Sequence, residues 1–185
     1  MVSNICVKKF GGTSVGSTER IEAVADRILK EREKDPRPYV IVASAMAGET
    51  NRLVDLANRT YLGFRGPAYD MLLASGEQVS IALLSMALEK KGLKSKPYLA
   101  HQIGILTDSM YSRARIREIK TDLIIKDIEN GIIPVVAGFQ GVDEFDNITT
   151  LGRGGSDTSA VALAVALKAQ DCDIYTDVPG VFSAD

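Results

Sequence analysis

The sequence predicts an α/β fold in which a mainly parallel β-sheet is covered by helices on both faces. Short apolar runs with β-strand character alternate with longer segments of helical periodicity along the 185 residues. Two glycine-rich turns, far apart in the chain, each precede a helix-like segment. Regular alternation of strands and helices is typical of parallel sheets, because the crossover helices pack on both faces of such a sheet.

The first half of the chain divides into two strands and three helices. Five apolar residues form a stripe at helical spacing between residues 17 and 34, and the Asp-Pro-Arg-Pro segment at 35–38 ends that helix. The remaining elements of this half follow from the same criteria: strands at 5–10 and 39–43, and helices at 49–61 and about 69–91, the two helices being separated by a break at 63–67.

In the second half, glycine and proline again separate the elements. Gly131 is placed to cap a helix over 117–130. Residues 104–108 are ambiguous in pattern. The other predicted elements are a short strand at 98–100, strands at 132–139 and 172–176, and a helix that runs from the second glycine turn to about residue 169.

Length and composition indicate one globular domain over residues 1–185. Hydrophobic residues make up 45% and charged residues 25%, and the net charge of −2 favours neither a nucleic acid nor an anionic membrane as partner. Cys6 and Cys172 lie in apolar segments, as expected for reduced thiols. No apolar run approaches the length of a membrane span, and no signal peptide is recognisable, so a cytoplasmic location is expected.

The segment 150–160, Thr-Leu-Gly-Arg-Gly-Gly-Ser-Asp-Thr-Ser-Ala, carries the strongest functional signal. Glycines allow a ligand to approach the backbone, and the free N–H groups of a helix N-terminus attract anions. Arg153 adds a planar donor fork that suits a carboxylate or a phosphate. The segment therefore predicts a site for a small anionic molecule. The alternative is that Ser156 and Asp157 are plain helix N-caps.

A second glycine turn, Gly-Gly-Thr-Ser-Val-Gly at 11–16, follows the first predicted strand. A strand, a glycine turn and a helix in this order can cradle phosphates on backbone N–H groups. The turn is not a Walker A loop, because Lys9 precedes the glycines, and a turn of this kind can also serve only to reverse the chain. Ligands of parallel sheets bind beyond the carboxyl ends of the strands, so both glycine turns are expected to meet at one pocket.

Six segments, taken together and in order, resemble the aspartate kinases of the amino-acid kinase superfamily. They are 9–15 (KFGGTSV), 44–46 (SAM), 73–77 (LASGE), 137–141 (AGFQG), 149–158 (TTLGRGGSDT) and 175–181 (YTDVPGV). The resemblance implies a three-layer α/β/α sandwich and an enzyme that transfers the γ-phosphoryl group of ATP, with Mg²⁺, to the β-carboxylate of L-aspartate. The product, 4-phospho-L-aspartate, would lead to lysine, threonine and methionine, and a homodimer is implied.

The resemblance also implies that the chain is the front portion of a longer kinase. Family members continue past the position of Asp185 with a Pro-Arg pair, a nucleotide-contacting lysine and the rest of the catalytic domain, and usually with ACT regulatory domains. The expectation is therefore a C-terminally incomplete catalytic domain whose activity alone is an open question.

The family pattern assigns roles to individual residues. Lys9 would contact the transferred phosphoryl group, and Asp157 would organise Lys9. Arg153 would clamp a substrate carboxylate and Glu77 the α-ammonium group, with Ser44, Thr50 and Ser156 as further substrate contacts. The nucleotide-binding residues implied are Lys9, Phe10, Gly11, Gly12, Thr13, Ser14, Gly155, Thr176, Asp177 and Phe182.

Each assignment has a structural alternative. Lys9 could be a solvated residue at a strand end, Glu77 an exposed helical residue, and Asp177 the start of a turn. Lys8 is expected on the opposite face of its strand from Lys9, without a role. No His/Cys cluster has metal-ligand spacing, so magnesium is expected to arrive with ATP. Two functional alternatives remain: a kinase for another acidic substrate, and a non-catalytic binding or assembly module.

Overall fold

The computed structural model describes residues 4–176. The strands are β1 (Cys6–Phe10), β2 (Tyr39–Ala43), β3 (Ser95–Tyr98), β4 (Ile105–Thr107), β5 (Ile116–Ile119), β6 (Ile133–Ala137), β7 (Gln140–Val142), β8 (Ile148–Thr150) and β9 (Asp171–Tyr175). The α-helices are α1 (Thr18–Lys34), α2 (Glu49–Thr60), α3 (Pro67–Lys90), α4 (Asp122–Glu129) and α5 (Gly155–Ala166), and a 3₁₀ helix spans Ala100–Ile103.

Five strands form the central sheet in the order β3-β6-β2-β1-β9, and every pair in it is parallel. Helices α1 and α3 cover one face, where Phe10 and Ile41 pack among residues such as Leu84. Helices α4 and α5 cover the other face, where Val7 packs with Leu163. This is the three-layer α/β/α arrangement that the sequence predicts.

Most of the predicted elements are present, with ends that differ by a few residues. Helix α1 begins where the sequence predicts because Ser17 is its N-cap residue. The Ser17 side chain accepts a hydrogen bond from the backbone N–H of Arg20 at 3.3 Å. Strand β2 has the predicted bounds. The short strand predicted at 98–100 is wrong in position: β3 ends at Tyr98, and residues 100–103 form the 3₁₀ helix.

The helix predicted over 117–130 is wrong at its start, where residues 117–119 belong to β5. Ile116–Ile119 pairs with β4 in an antiparallel arrangement, and only Asp122–Glu129 is helical. Strands β5, β4, β7 and β8 make a second, four-stranded sheet of mixed direction that the sequence did not predict. These strands are only three or four residues long, so cross-strand pairing and not local pattern decides them.

Helix α3 corrects the expectation that no apolar run approaches a membrane span. By length and composition alone it could cross a membrane, but 56% of its most apolar window is buried inside the protein. That burial is what a core helix shows. One face of α3 packs against the central sheet, and Leu73 near its start packs with Leu53 of α2.

Because the sheet is parallel, the carboxyl ends of its strands share one edge. The turn at Gly11 and Gly12 follows β1, Ser44 follows β2, and Gly138 follows β6. The backbone of these turns continues the sheet: Ser44 N donates to Phe10 O at 3.1 Å, and Gly138 N donates to Ala43 O at 3.0 Å. The N-terminus of α5 lies beside this edge.

Candidate active site

A cavity of about 910 Å³ opens at the carboxyl edge of the central sheet. We call it the carboxyl-edge cavity. Its wall comes from the turns after β1 and β2, from one side of α3 and from the glycine-rich loop that begins α5. Nine residues assigned from the sequence line it: Lys9, Gly12, Ser44, Thr50, Glu77, Arg153, Gly155, Ser156 and Asp157. The two glycine turns therefore converge on one pocket, as predicted.

Lys9 and Asp157 form an ion pair in this cavity. Lys9 Nζ lies 2.6 Å from Asp157 Oδ1, and the Lys9 side chain is only 9% exposed. The parity of β1 sends Lys9 to the face covered by α5, where Asp157 occupies the first helical turn. Lys9 is therefore a buried cavity residue and not the solvated lysine of the alternative interpretation.

The first turn of α5 also rules out a simple capping role for Ser156 and Asp157. The N-cap residue is Gly154, which makes no side-chain cap, and both residues lie inside the helix. Arg153 precedes the cap and is exposed to the cavity. Within residues 4–176, no carboxylate lies within ion-pair distance of Arg153, so its guanidinium can accept an anionic ligand.

Glu77 is the most strongly perturbed acid of the cavity. It is 2% exposed, its Oε1 accepts a hydrogen bond from Ala45 N at 3.0 Å, and its buried Oε2 has no hydrogen-bond partner among the described residues. Burial raises the pKa of Glu77 to about 7. The exposed-helix alternative is wrong. A cationic group in the cavity would satisfy Oε2 and stabilise the ionised carboxylate.

Close backbone packing shapes the floor of the cavity at Gly12. A Cβ atom on this residue would lie 2.9 Å from Ala45 O, and Gly12 O accepts a hydrogen bond from Ala47 N at 3.1 Å. Only glycine lets the turns after β1 and β2 approach so closely. Thr50, in the first turn of α2, and Ser44 place their side chains along the same wall.

Three of the remaining assigned nucleotide residues, Phe10, Gly11 and Ser14, do not line the carboxyl-edge cavity. Gly11 N donates to Tyr175 O at 3.2 Å, so this N–H extends the pairing of β1 with β9 and does not point to a ligand. Phe10 is buried and stacks on Tyr175, with 4.7 Å between ring centroids. Phe10 and Ser14 line a smaller cavity of about 200 Å³ instead.

Thr13 and Thr176 are likewise not among the residues that line the carboxyl-edge cavity. Thr13 O accepts a hydrogen bond from Arg20 Nη1 at 2.7 Å, and Thr176 follows the end of β9. Asp177 and Phe182, the other two residues assigned to the nucleotide, lie outside the described residues. The nucleotide assignments therefore stay predictions.

Lys8 points to the opposite face from Lys9, as predicted, but it is not an idle surface residue. Its Nζ lies 3.0 Å from Glu31 and 2.8 Å from Asp173, and the side chain is buried. Burial acts to lower the pKa of Lys8, but the hydrogen bonds to Asp173 and Glu31 outweigh it and raise the pKa. Lys8 thus joins β1, β9 and α1 in one ion-pair network.

Sequence reasoning missed several residues of the cavity wall. Among them are Arg65, whose guanidinium lies 4.3 Å from the ring centroid of Tyr69, and Phe139, which has a φ of +68°. Asp70, buried just outside the cavity, was missed as well. Glu77 was assigned from the family pattern, and Asp70 is a second acid in the same apolar helix α3, a contrast that could have found it.

Residues 4–185 match the model of the amino acid kinase family. An aspartate kinase of Pseudomonas fluorescens (strain SBW25) is 55% identical over 184 residues, which cover 98% of this chain and 44% of that protein. Aspartokinase 2 of Bacillus subtilis (strain 168) is 53% identical over 181 residues, with the same coverage. The chain thus spans less than half the length of these curated relatives.

Solved structures agree with the fold. Aspartate kinase from Synechocystis superposes with a TM-score of 0.83 at 47% identity, covering 98% of this chain and 29% of that one. E. coli aspartokinase III, solved in complex with aspartate and ADP, superposes with a TM-score of 0.83 at 26% identity, covering 96% of this chain and 50% of that one.

Proposed function

Since the chain belongs to the amino acid kinase family, we propose that its carboxyl-edge cavity binds L-aspartate and takes part in transferring the γ-phosphoryl group of ATP to the β-carboxylate. The product would be 4-phospho-L-aspartate, the first intermediate on a route to lysine, threonine and methionine. The observation that carries the proposal is the charge pattern of the cavity. It combines two guanidinium groups, a lysine and a buried glutamate whose Oε2 lacks a partner among the described residues.

This pattern matches an amino acid with two carboxylates better than a simple phosphate. Arg153 would hold one carboxylate of aspartate through its donor fork, and Glu77 would accept the α-ammonium group. Ser44, Thr50 and Ser156 would add hydroxyl contacts. Among relatives of known structure, E. coli aspartokinase III has been solved with aspartate bound, which supports this choice of substrate.

The acceptor group needs no general base. An aspartate carboxyl has a pKa of about 3.9, so it is already ionised at neutral pH. The barrier is the approach of this anion to a polyanionic nucleotide, and catalysis would rest on positioning and on neutralising charge. Lys9 would neutralise charge on the transferred group, while Asp157, at 2.6 Å, holds the Lys9 ammonium in place.

The nucleotide would reach the cavity along the first glycine turn. Gly12 and Gly155 line the cavity, Thr13 and Ser14 lie in the turn after β1, and Gly155 begins α5, where free backbone N–H groups would attract phosphates. Phe10 and Gly11 would hold the turn after β1 in place through their contacts with Tyr175. Thr176, Asp177 and Phe182 would serve the ribose and base.

Magnesium would be carried by ATP. Within residues 4–176, no group of three or more His, Cys, Asp or Glu side chains is placed to hold a metal ion. A magnesium ion would therefore take most of its ligands from phosphate and water, and would supply neutralisation of phosphate charge when bound. We further propose that residues 1–185 belong to one amino-acid kinase catalytic domain, that the protein is a homodimer and that it is cytoplasmic, on the resemblance of the chain to bacterial aspartate kinases.

Isothermal titration calorimetry tests the substrate assignment directly. The chain is titrated with L-aspartate, L-glutamate, N-acetylglutamate and UMP, and L-aspartate is expected to bind with the lowest Kd. Binding of another ligand in place of aspartate would show a kinase for a different acidic substrate. Trapping of the acyl phosphate with hydroxylamine, in the presence of MgATP and aspartate, then tests the transfer step and separates a kinase from a non-catalytic binding module.

A further inference from the structure

Asp70 is a fully buried carboxylate that ties two loops to helix α3. Its Oδ2 accepts hydrogen bonds from the backbone N–H groups of Ser112, at 2.9 Å, and Thr150, at 2.7 Å. Its Oδ1 accepts a third from Ser112 Oγ at 3.1 Å. Hydrogen bonds to an ionised acceptor are among the strong ones, so both loops are held at fixed distances from the helix.

One of these two loops carries Arg153. Thr150 ends β8, and the chain then runs through the glycine-rich loop to α5. The loop that contains Ser112 packs directly against this glycine-rich loop. Ala114 N donates a hydrogen bond to Thr150 O at 2.8 Å, and a Cβ atom on Gly152 would lie 3.0 Å from Ser112 O. The hydrogen bonds of Asp70 therefore fix the backbone directly before Arg153.

The same helix carries Glu77. Asp70 and Glu77 lie two turns apart on α3, which corresponds to about 10 Å along the helix axis. Glu77 is itself held by its hydrogen bond from Ala45 N. One rigid helix thus presents Glu77 to the cavity and, through Asp70, sets the position of the loop that presents Arg153.

We propose that Asp70 is a positioning residue that fixes the distance between Glu77 and Arg153 and so selects the substrate by length. This inference rests on the proposed function, in which Glu77 binds the ammonium group and Arg153 a carboxylate. Aspartate and glutamate carry the same charged groups and differ by one methylene. A site with a fixed spacing between its two charges rejects the longer one, whereas a site with a loose arginine loop accommodates both.

The experiment compares Asp70→Ala and Asp70→Asn with wild type, and uses Asp127→Ala as the matched control. Asp127 is also a buried acid that accepts a hydrogen bond, from Tyr98 Oη, but it lies on α4 and does not line the cavity. Two quantities are measured on the whole chain. One is the exchange rate of the Ser112 and Thr150 amide hydrogens by NMR, and the other is the ratio of the Kd for L-glutamate to the Kd for L-aspartate by calorimetry.

Asp70→Ala is expected to speed exchange of both amides, to raise the Kd for aspartate about tenfold, and to bring the glutamate-to-aspartate ratio closer to one. Asp70→Asn keeps an acceptor but loses the charge, so it should raise the Kd for aspartate about fivefold and also bring the ratio closer to one. Asp127→Ala should lower stability and leave the ratio at the wild-type value. A purely structural role for Asp70 would lower stability without changing the ratio, and that result would overturn the proposal.

If Asp70→Ala does not fold, Asp70→Asn decides: a faster Thr150 amide together with a lower ratio supports the proposal, and an unchanged ratio overturns it. Failure of the proposed function is recognised separately, in the wild type. A wild-type chain that binds no aspartate removes the proposed substrate and the selectivity claim with it. If the wild type prefers aspartate and Asp70→Ala shows the same preference, only the proposed role of Asp70 is contradicted.

Discussion

Lys9 Nζ lies 2.6 Å from Asp157 Oδ1, and this ion pair joins the end of β1 to the first turn of α5. Both residues line the carboxyl-edge cavity, together with Arg153 and the buried Glu77. The pair therefore marks the place where the two glycine turns of the sequence meet. The neighbouring residues Lys8 and Lys9 face opposite layers of the sandwich, so substitutions at the two positions should have different effects.

Lys9→Met is expected to lower the rate of phosphoryl transfer about 10²- to 10³-fold, because it removes a preorganised positive charge from the cavity. The measurement is hydroxamate trapping of the acyl phosphate under saturating MgATP and L-aspartate. The fold should survive, since Asp157 is half exposed and can be solvated without Lys9. A Lys9→Met chain with the wild-type rate would remove Lys9 from the reaction.

Lys8→Met is expected to lower stability and to leave substrate binding unchanged. It leaves Glu31 and Asp173 without their shared ammonium partner and should lower the free energy of unfolding by about 1–3 kcal/mol, as measured in urea. The affinity for aspartate should stay unchanged. Lys90→Met is the matched control, because its pair with Glu22 is exposed and should contribute less than about 1 kcal/mol. Equal losses in the two variants would contradict the buried-network interpretation.

Glu77 predicts a pH dependence of stability. Its carboxyl has a pKa of about 7 in the folded state and of 4.5 in its unperturbed state. Between these values the folded chain holds a proton that the unfolded chain has lost, so the free energy of unfolding falls as pH rises from 4.5 to about 7. The loss attributable to Glu77 is about 3 kcal/mol at most. Urea unfolding of Glu77→Gln should lack this decline, and parallel pH curves for the two chains would be the contrary result.

Aspartate binding should release a proton at pH 6. Glu77 is then largely protonated in the free protein, and an ammonium group beside it favours the ionised form, which lowers its pKa. The calorimetric enthalpy of binding should therefore vary with the ionisation enthalpy of the buffer at pH 6, and should not vary at pH 8.5. Proton uptake at pH 6, or no buffer dependence at either pH, would speak against contact between Glu77 and the ammonium group.

Arg153→Lys is expected to weaken aspartate binding about tenfold or more, because a lysine cannot form the paired donor fork on a carboxylate. Calorimetry at pH 8 provides the Kd values. Arg59→Lys is the control, since Arg59 forms an exposed pair with Asp55 on α2, away from the cavity. If Arg153→Lys bound aspartate as tightly as Arg59→Lys, the carboxylate clamp would have to be sought elsewhere.

Much of the fold and of the site could be predicted from local sequence. Regular alternation of strands and helices indicated a parallel sheet, and strand parity placed Lys8 and Lys9 on opposite faces. Glycine spacing located both turns, and the order of six segments gave the family resemblance. These signals are local or nearly so, because main-chain conformation and side-chain direction follow from a few neighbouring residues.

The sequence by itself determined the layers of this protein, the two glycine turns and the candidates Lys9, Glu77, Arg153 and Asp157. Only the tertiary structure decided that β5 is a strand, that Lys8 is buried in an ion-pair network, that Gly11 N–H bonds to Tyr175 and that Asp70 holds the arginine loop. The physical reason is distance along the chain. Each of these outcomes depends on a partner contributed by a distant segment, and the free energy of such a contact exists only once the chain has folded.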